Sequence, residues 1–224
     1  MRTCALIPAF NEALHIAKVI EGAREHVATV IVIDDGSSDM TAEVARAAGA
    51  TCLESQTNCG KATALRAGIA FARDHNFTHA ITLDGDGQHL PEDIPALLRI
   101  AEETRADLVI GTRPFERARM PRARYYSNTV GSRLASALVG CEIRDSQCGF
   151  RLFRLDKLFT IKLRSRRYEF EMEVLIKMAR SGCTIAQTPI RMVYDNGQAL
   201  SKMNPVRDTV RICLWSLAYR YLGV

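Results

Sequence analysis

Two carboxylates one residue apart, Asp84 and Asp86, stand in the stretch Leu83-Asp-Gly-Asp-Gly-Gln88-His89. The apolar run His79-Ala-Ile-Thr-Leu83 leads directly into it and reads as a buried strand ending in turn signals. Glycines at 85 and 87 let the backbone turn sharply and approach a ligand closely. The product is a small, hard, anionic claw suited to Mg²⁺ or Mn²⁺ shared with a diphosphate, because hard cations prefer oxygen ligands and share them with substrate phosphates. Taken alone, such a pair is more often a solvated polar turn, so the claw acquires meaning from the elements that carry it.

Those elements alternate. Thr3 to Pro8 reads as a short buried strand, followed by a helix from Glu12 to about His26 with Asn11 as its cap and Ala13, Ile16, Ala17 and Ile20 on its inner side. Thr29-Val-Ile-Val-Ile33 is a β-branched run typical of a strand covered on both faces. It ends in Asp34-Asp-Gly-Ser-Ser38, and a helix then runs to Ala48 and stops at Gly49. A third strand, about 50 to 54, leads through Asn58-Cys-Gly-Lys61 into a helix to about His75. After the fourth strand and its acidic turn come a helix with Pro91 in its first turn and a fifth strand, Asp107 to Gly111. Such alternation implies an α/β fold with a mostly parallel sheet wrapped by helices, its ligands lying outside the carboxyl ends of the strands. Pro8, Asp34, Asp35, Asp84 and Asp86 all fall at such ends.

The 224 residues are 47% apolar, enough for one sizeable core. Seven scattered cysteines without a CxxC pair argue against a zinc site or a disulfide framework and for a reducing compartment. No signal peptide opens the chain, and no apolar run approaches the ~18 residues of a membrane span. The net charge of +5 conceals an asymmetry: residues 1 to 112 carry 9 Lys/Arg against 16 Asp/Glu, whereas 113 to 224 carry 21 against 9. A basic half can meet nucleic acid, an anionic membrane or a phosphorylated substrate, or be simply a solvated charged face.

Two nucleotide-binding mimics fail. Gly60-Lys61 lacks the glycine five residues earlier, where Ser55 stands, and Ala62 replaces the Ser or Thr of a P-loop. The first strand leads into Pro8-Ala-Phe-Asn-Glu12 rather than the GxGxxG of a dinucleotide fold. The set Pro8-Ala-Phe-Asn-Glu12, Ile33-Asp-Asp-Gly-Ser37, Asn58-Cys-Gly-Lys61, Asp84-Gly-Asp-Gly-Gln88 and Gly111-Thr-Arg113 instead resembles a family 2 glycosyltransferase of GT-A fold. Asp145-Ser-Gln-Cys-Gly-Phe-Arg151 narrows the resemblance to the dolichol-phosphate mannose synthase and dolichyl-phosphate glucose synthase group. It covers about Thr3 to Lys202, giving a catalytic domain over 1–202 and a C-terminal amphipathic helix over 203–224.

The resemblance implies an inverting transfer of a hexose from a nucleotide sugar, GDP-mannose or UDP-glucose, to a polyprenyl or dolichyl phosphate, dependent on Mg²⁺ or Mn²⁺. It implies that Pro8, Phe10 and Glu12 line the nucleotide pocket and that Asp35 contacts the base, with Gly36 and Ser37 forming the turn. Asp84 would face the donor sugar or ribose, while Asp86 and Gln88 hold the metal. Arg113 and Arg151 would serve the phosphates, and Ser201 and Lys202 would approach them from a closing loop. Ala62, where relatives often have Gly after the Lys, leaves Lys61 without a clear role. Nucleic acid is not among the implied partners; a membrane surface is, at its cytoplasmic face, with a membrane subunit or a second copy as further options.

Chemistry gives the basic half its own rationale. A phosphomonoester acceptor, with a second pKa near ~6, is already anionic at neutral pH and needs no general base. What it needs is cations, and arginine forks suit that task. Arg113, Arg117, Arg119, Arg122, Arg124 and Arg133 face one acid, Glu116, across residues 113 to 133. An amphipathic helix from Tyr125 to Val139 follows, suited to a lipid-borne phosphate at a membrane surface. A further helix carries Glu169, Glu171 and Glu173, of which one face can hold only some, with Glu171 or Glu173 expected to point at the site. Thr184 to Tyr194 reads as the last strand. Two alternatives remain: a hydroxyl acceptor, which requires a carboxylate base, and a non-catalytic nucleotide-sugar-binding subunit.

Overall fold

Runs of Val, Ile and Leu bounded by Asp, Gly and Pro do form the strands expected of them. A computed structural model describes residues 1–114, 122–165, 169–192 and 205–221, with backbone only at 123, 124, 205–210 and 221. The first half supplies β1 (Thr3–Ala9), α1 (Ile16–Arg24), β2 (Thr29–Asp34), α2 (Thr41–Ala47), β3 (Thr51–Glu54), α3 (Lys61–Asp74), β4 (His79–Thr82), α4 (Ile94–Thr104) and β5 (Leu108–Thr112). The second adds α5 (Arg122–Val139), β6 (Arg151–Arg154), α6 (Leu155–Leu158), α7 (Phe170–Arg180), β7 (Ile185–Pro189) and α8 (Pro205–Tyr221).

Among the described residues the strands make one sheet in the order β3-β2-β1-β4-β6-β5-β7. Every pairing is parallel except the two that β6 makes, with β4 and β5. This reversed strand was absent from the sequence reading. Its direction matters for the site: register places Arg151, the first residue of β6, beside Thr82, the last of β4. The loop that precedes β6 is thereby delivered to the carboxyl ends of the parallel strands. The inner stretches of β1 and β5 are apolar and fully enclosed, Cys4 to Ile7 and Leu108 to Ile110 having no exposed surface. They are covered by α3 on β1 and β2 and by α4 on the β5, β6 and β7 side.

Two expected features differ. The first helix begins at Ile16 rather than Glu12, and Asn11 does not cap it. Asn11 adopts a left-handed backbone, φ 55°, and its side-chain oxygen accepts the Ser38 N–H at 2.8 Å, so the residue ties two loops together instead. The buried face of α1 is Ile16, Val19, Ile20 and Ala23. The helix expected from Pro91 opens as a 3₁₀ turn, Pro91–Asp93, before α4.

On the far side, α5, α7 and α8 pack against one another. From α8, Ile212, Ser216 and Tyr219 point inward at helical spacing and are buried, while Leu214, Trp215 and Leu217 are exposed. Tyr126 and Val130 of α5 are likewise exposed. No helix among the described residues is long and apolar enough to cross a membrane.

Candidate active site

The loop after β1 and the loop after β2 are laced together by their own polar side chains. Ser37 Oγ accepts the Asn11 N–H at 2.9 Å and donates to Asp34, while Thr41 Oγ1 accepts the Glu12 N–H at 2.8 Å. Asp35 is nearly buried, and its two carboxylate oxygens take the N–H groups of Cys59 and Gly60 at 2.8 and 2.7 Å. It braces the loop that opens α3. Gly36 is obligatory in that junction: its φ is +74°, and a Cβ there would stand 2.6 Å from the carbonyl carbon of Thr57. Pro8, Phe10 and Glu12 are all partly exposed along the same rim.

Lys61, the first residue of α3, turns toward the acidic turn after β4. Its ammonium lies 2.6 Å from Asp84 Oδ1 and 3.0 Å from Glu171 Oε1 of α7. Burial would raise the Asp84 pKa, but the Lys61 charge at contact outweighs it and holds the carboxyl down to about 2. The same two carboxylates push the Lys61 pKa upward against the pull of burial. Asp86 behaves oppositely: burial, reinforced by the Asp84 charge and by Glu12, pushes it up to about 6. One of its oxygens accepts the Gln88 N–H at 3.0 Å. A carboxylate crowded by other carboxylates in a partly closed turn is a place where a hard cation relieves repulsion, so the residues present fit Mg²⁺ or Mn²⁺. Among the described residues no three His, Cys, Asp or Glu side chains converge to form a complete protein cage.

Beneath this turn, His89 Nδ1 accepts the Asp84 backbone N–H at 3.3 Å, and burial drives the imidazole down to about 4, so it is neutral at pH 7. Its other nitrogen lies 3.9 Å from the buried Cys148 thiol, which burial pushes up to about 12. This support was missed by the sequence reading, where His89 was merely the end of a motif. Thr82 Oγ1 donates to the Gly149 carbonyl at 2.6 Å, fastening the β6-entry loop across the site.

Arg113, just past β5, forms a two-pronged pair with Asp145 through Nε at 2.6 Å and Nη2 at 2.9 Å. Asp145 has no exposed side-chain surface, so the fork is fixed in place at the rim. Arg151 was expected near a phosphate, and its position is at odds with that. It is 1% exposed, and its guanidinium donates to the carbonyls of Cys148, Glu171 and Ser146 at 2.8, 2.7 and 2.7 Å. The three glutamates of α7 and its approach part company: Glu171 reaches Lys61, Glu173 takes the N–H groups of Arg164 and Ser165 and pairs with Lys177, and Glu169 pairs with Arg211 of α8. Arg117, Arg119, Ser201 and Lys202 lie outside the described residues, as do the side chains of Arg124 and the start of α8.

The profile of the family described as Glycosyl transferase family 2 matches residues 4–160. The chain belongs to glycosyltransferase family 2. It is 30% identical to undecaprenyl-phosphate mannosyltransferase of Micrococcus luteus, over 100% of this chain and 98% of that one. It is 28% identical to UDP-N-acetylglucosamine--dolichyl-phosphate N-acetylglucosaminyltransferase of Methanococcus voltae, over 84% of each. Among solved structures, glucosyl-3-phosphoglycerate synthase of Mycobacterium tuberculosis in complex with Mn²⁺, UDP-glucose and phosphoglyceric acid superposes with a TM-score of 0.73 at 21% identity, covering 97% of this chain and 79% of that one. The family 2 chain therefore has the GT-A fold.

Proposed function

We propose that this glycosyltransferase moves a hexose from a nucleotide sugar, GDP-mannose or UDP-glucose, to a polyprenyl phosphate with inversion at the anomeric carbon. The observation that carries the reading is the end-to-end likeness to the Micrococcus luteus enzyme, joined to a site that sets an acidic turn opposite a fixed arginine fork. On this reading Pro8, Phe10 and Glu12 line the nucleotide pocket. Asp35, which also braces the loop before α3, contacts the base, with Gly36 and Ser37 making the turn. Asp84 faces the donor sugar or ribose, and Asp86 and Gln88 would hold Mg²⁺ or Mn²⁺ with the diphosphate. When bound, that ion supplies charge stabilisation for the departing nucleotide diphosphate.

The chain's own groups do the remaining work. Arg113 orients an acceptor phosphate that arrives ionised, so no side chain has to remove its proton. Arg151, enclosed by carbonyls, holds the floor of the site and is not assigned to a phosphate. Ser201 and Lys202 are assigned to the phosphates from the family pattern alone. The exposed apolar faces of α5 and α8, set in a basic half, suit peripheral attachment to the cytoplasmic face of a membrane where the acceptor resides.

Incubation of the purified chain with labelled nucleotide sugars, a short polyprenyl phosphate and Mn²⁺ or Mg²⁺ tests the reading. The expected result is a lipid-linked hexose from one donor and no product in excess chelator. Transfer to sugar or protein hydroxyls with none to the lipid phosphate would replace it.

A further inference from the structure

Lys61 and Glu171 come from opposite halves of the sequence and meet behind Asp84. Lys61 opens α3, and Glu171 lies in the first turn of α7. The ammonium is seated between two carboxylates, 2.6 Å from one and 3.0 Å from the other. The seat is shaped for it: a Cβ on Gly149 would stand 2.8 Å from Lys61 Nζ and 3.2 Å from Asp84 Oδ2. The Glu171 side chain is 8% exposed, whereas that of Lys61 keeps 23%. The lysine therefore keeps partial exposure while its anchor is nearly enclosed.

A buried carboxylate is costly unless paired, and a well-packed apolar side chain would serve helix packing at least as well. Glu171 has its one ion-pair partner, among the described residues, in Lys61. Its neighbours Glu169 and Glu173 instead bind α8 and the chain entering α7. Lys61 fixes Oδ1 of Asp84, and the Asp84 backbone N–H is fixed by His89, so the residue is held at its backbone and at one carboxylate oxygen. Removing Glu171 would leave the ammonium balanced by Asp84 alone, free to swing with it.

We propose that Glu171 is a positioning residue for the donor, acting through Lys61, which holds Asp84 in the orientation that meets the donor sugar or ribose. The proposal rests on the assignment of Asp84 to the donor made above. It deepens that assignment by adding two residues with a stated order of action.

The test is a double-mutant cycle with Glu171→Gln, Lys61→Met and both together. It is scored in kcat and KM for the nucleotide sugar and, independently of any acceptor, in the affinity for GDP and UDP with Mn²⁺ by calorimetry. Each single change is expected to lower kcat/KM at least about tenfold, and the pair to be no worse than Lys61→Met alone, because residues acting as one unit are strongly non-additive. Lys61→Arg should recover part of the loss, since its fork can still reach both carboxylates. Urea unfolding of each variant separates loss of structure from loss of positioning. Wild-type kinetics in Glu171→Gln, or losses that multiply in the double variant, would overturn the proposal. No lipid product, with nucleotide binding and coupling intact, would instead remove only the acceptor assignment. Absence of nucleotide binding by the unaltered chain would overturn both.

Discussion

At the residue scale the site is a contrast between two aspartates two positions apart. Asp84 is held at about 2 because the Lys61 ammonium at contact outweighs burial, and Asp86 is raised to about 6 because burial and its carboxylate neighbours act with no cation at contact among the described residues. The signs have opposite consequences for stability. Asp84, depressed below its ordinary 3.8, contributes stability that is present above that value and is lost as the pH falls toward about 2. Asp86 binds its proton more tightly in the folded chain, so it costs stability as the pH rises from about 4 to about 6 and continues to do so at neutrality. Asp86→Asn should therefore raise the unfolding free energy at pH 7 by on the order of 1–2 kcal/mol, with little gain at pH 4. The same change should lower turnover at least ~100-fold, about 2.7 kcal/mol of barrier. Urea unfolding at the two pH values and a donor-saturated rate check both; a variant that loses neither activity nor the pH dependence would remove Asp86 from the site.

At the element scale the decisive feature is β6. Arg151 uses it to stitch three pieces together, the loop at 146–148, the strand itself and the first turn of α7. Arg151→Met would remove three hydrogen bonds to buried backbone carbonyls and is expected to cost roughly 3–5 kcal/mol in urea unfolding, with Arg151→Lys restoring only part because an ammonium lacks the planar fork. If Arg151 contacted a phosphate instead, stability would hold and KM would rise.

This element also marks where the sequence was opaque. The donor-side turns were legible because each follows a strand of β-branched residues and begins with Asp or Pro, so strand and turn announce each other. β6 is four residues, Arg151-Leu-Phe-Arg154, with an arginine at each end, too short and too charged to announce itself as a strand. Nothing local fixes its direction, which comes from pairing with β4 and β5. Likewise, spacing showed that Glu169, Glu171 and Glu173 could not share one face, yet which of them reaches the site depends on Lys61, more than a hundred residues earlier. Asn11 looked like a cap by type and position, but its tertiary partner at Ser38 took precedence.

At the scale of the whole molecule, the acidic and basic halves of the chain fold into one sheet and present different surfaces. Among the described residues α8 exposes Leu214, Trp215 and Leu217, and α5, which packs on it, exposes Tyr126 and Val130. Trp215 is 43% exposed and is the single tryptophan of the chain, so its emission reports on that face alone. Anionic vesicles should shift its emission to the blue, less so at high salt, and zwitterionic vesicles should do so weakly. Leu214→Asp with Leu217→Asp should weaken vesicle binding at least ~10-fold while leaving GDP or UDP binding unchanged. An unshifted spectrum in anionic vesicles would leave that face to a protein partner.

The order of the sheet also sets a timetable for biogenesis. β1 to β4 pair among themselves as soon as the first half has been made, whereas the outer edge of β4 waits for β6, and both edges of β5 wait for β6 and β7. As the polypeptide leaves the ribosome, β5 has to wait with its edges bare for some forty residues of further translation. The nascent enzyme thus carries its greatest aggregation hazard after the donor side is written and before the strand that closes the gap has emerged.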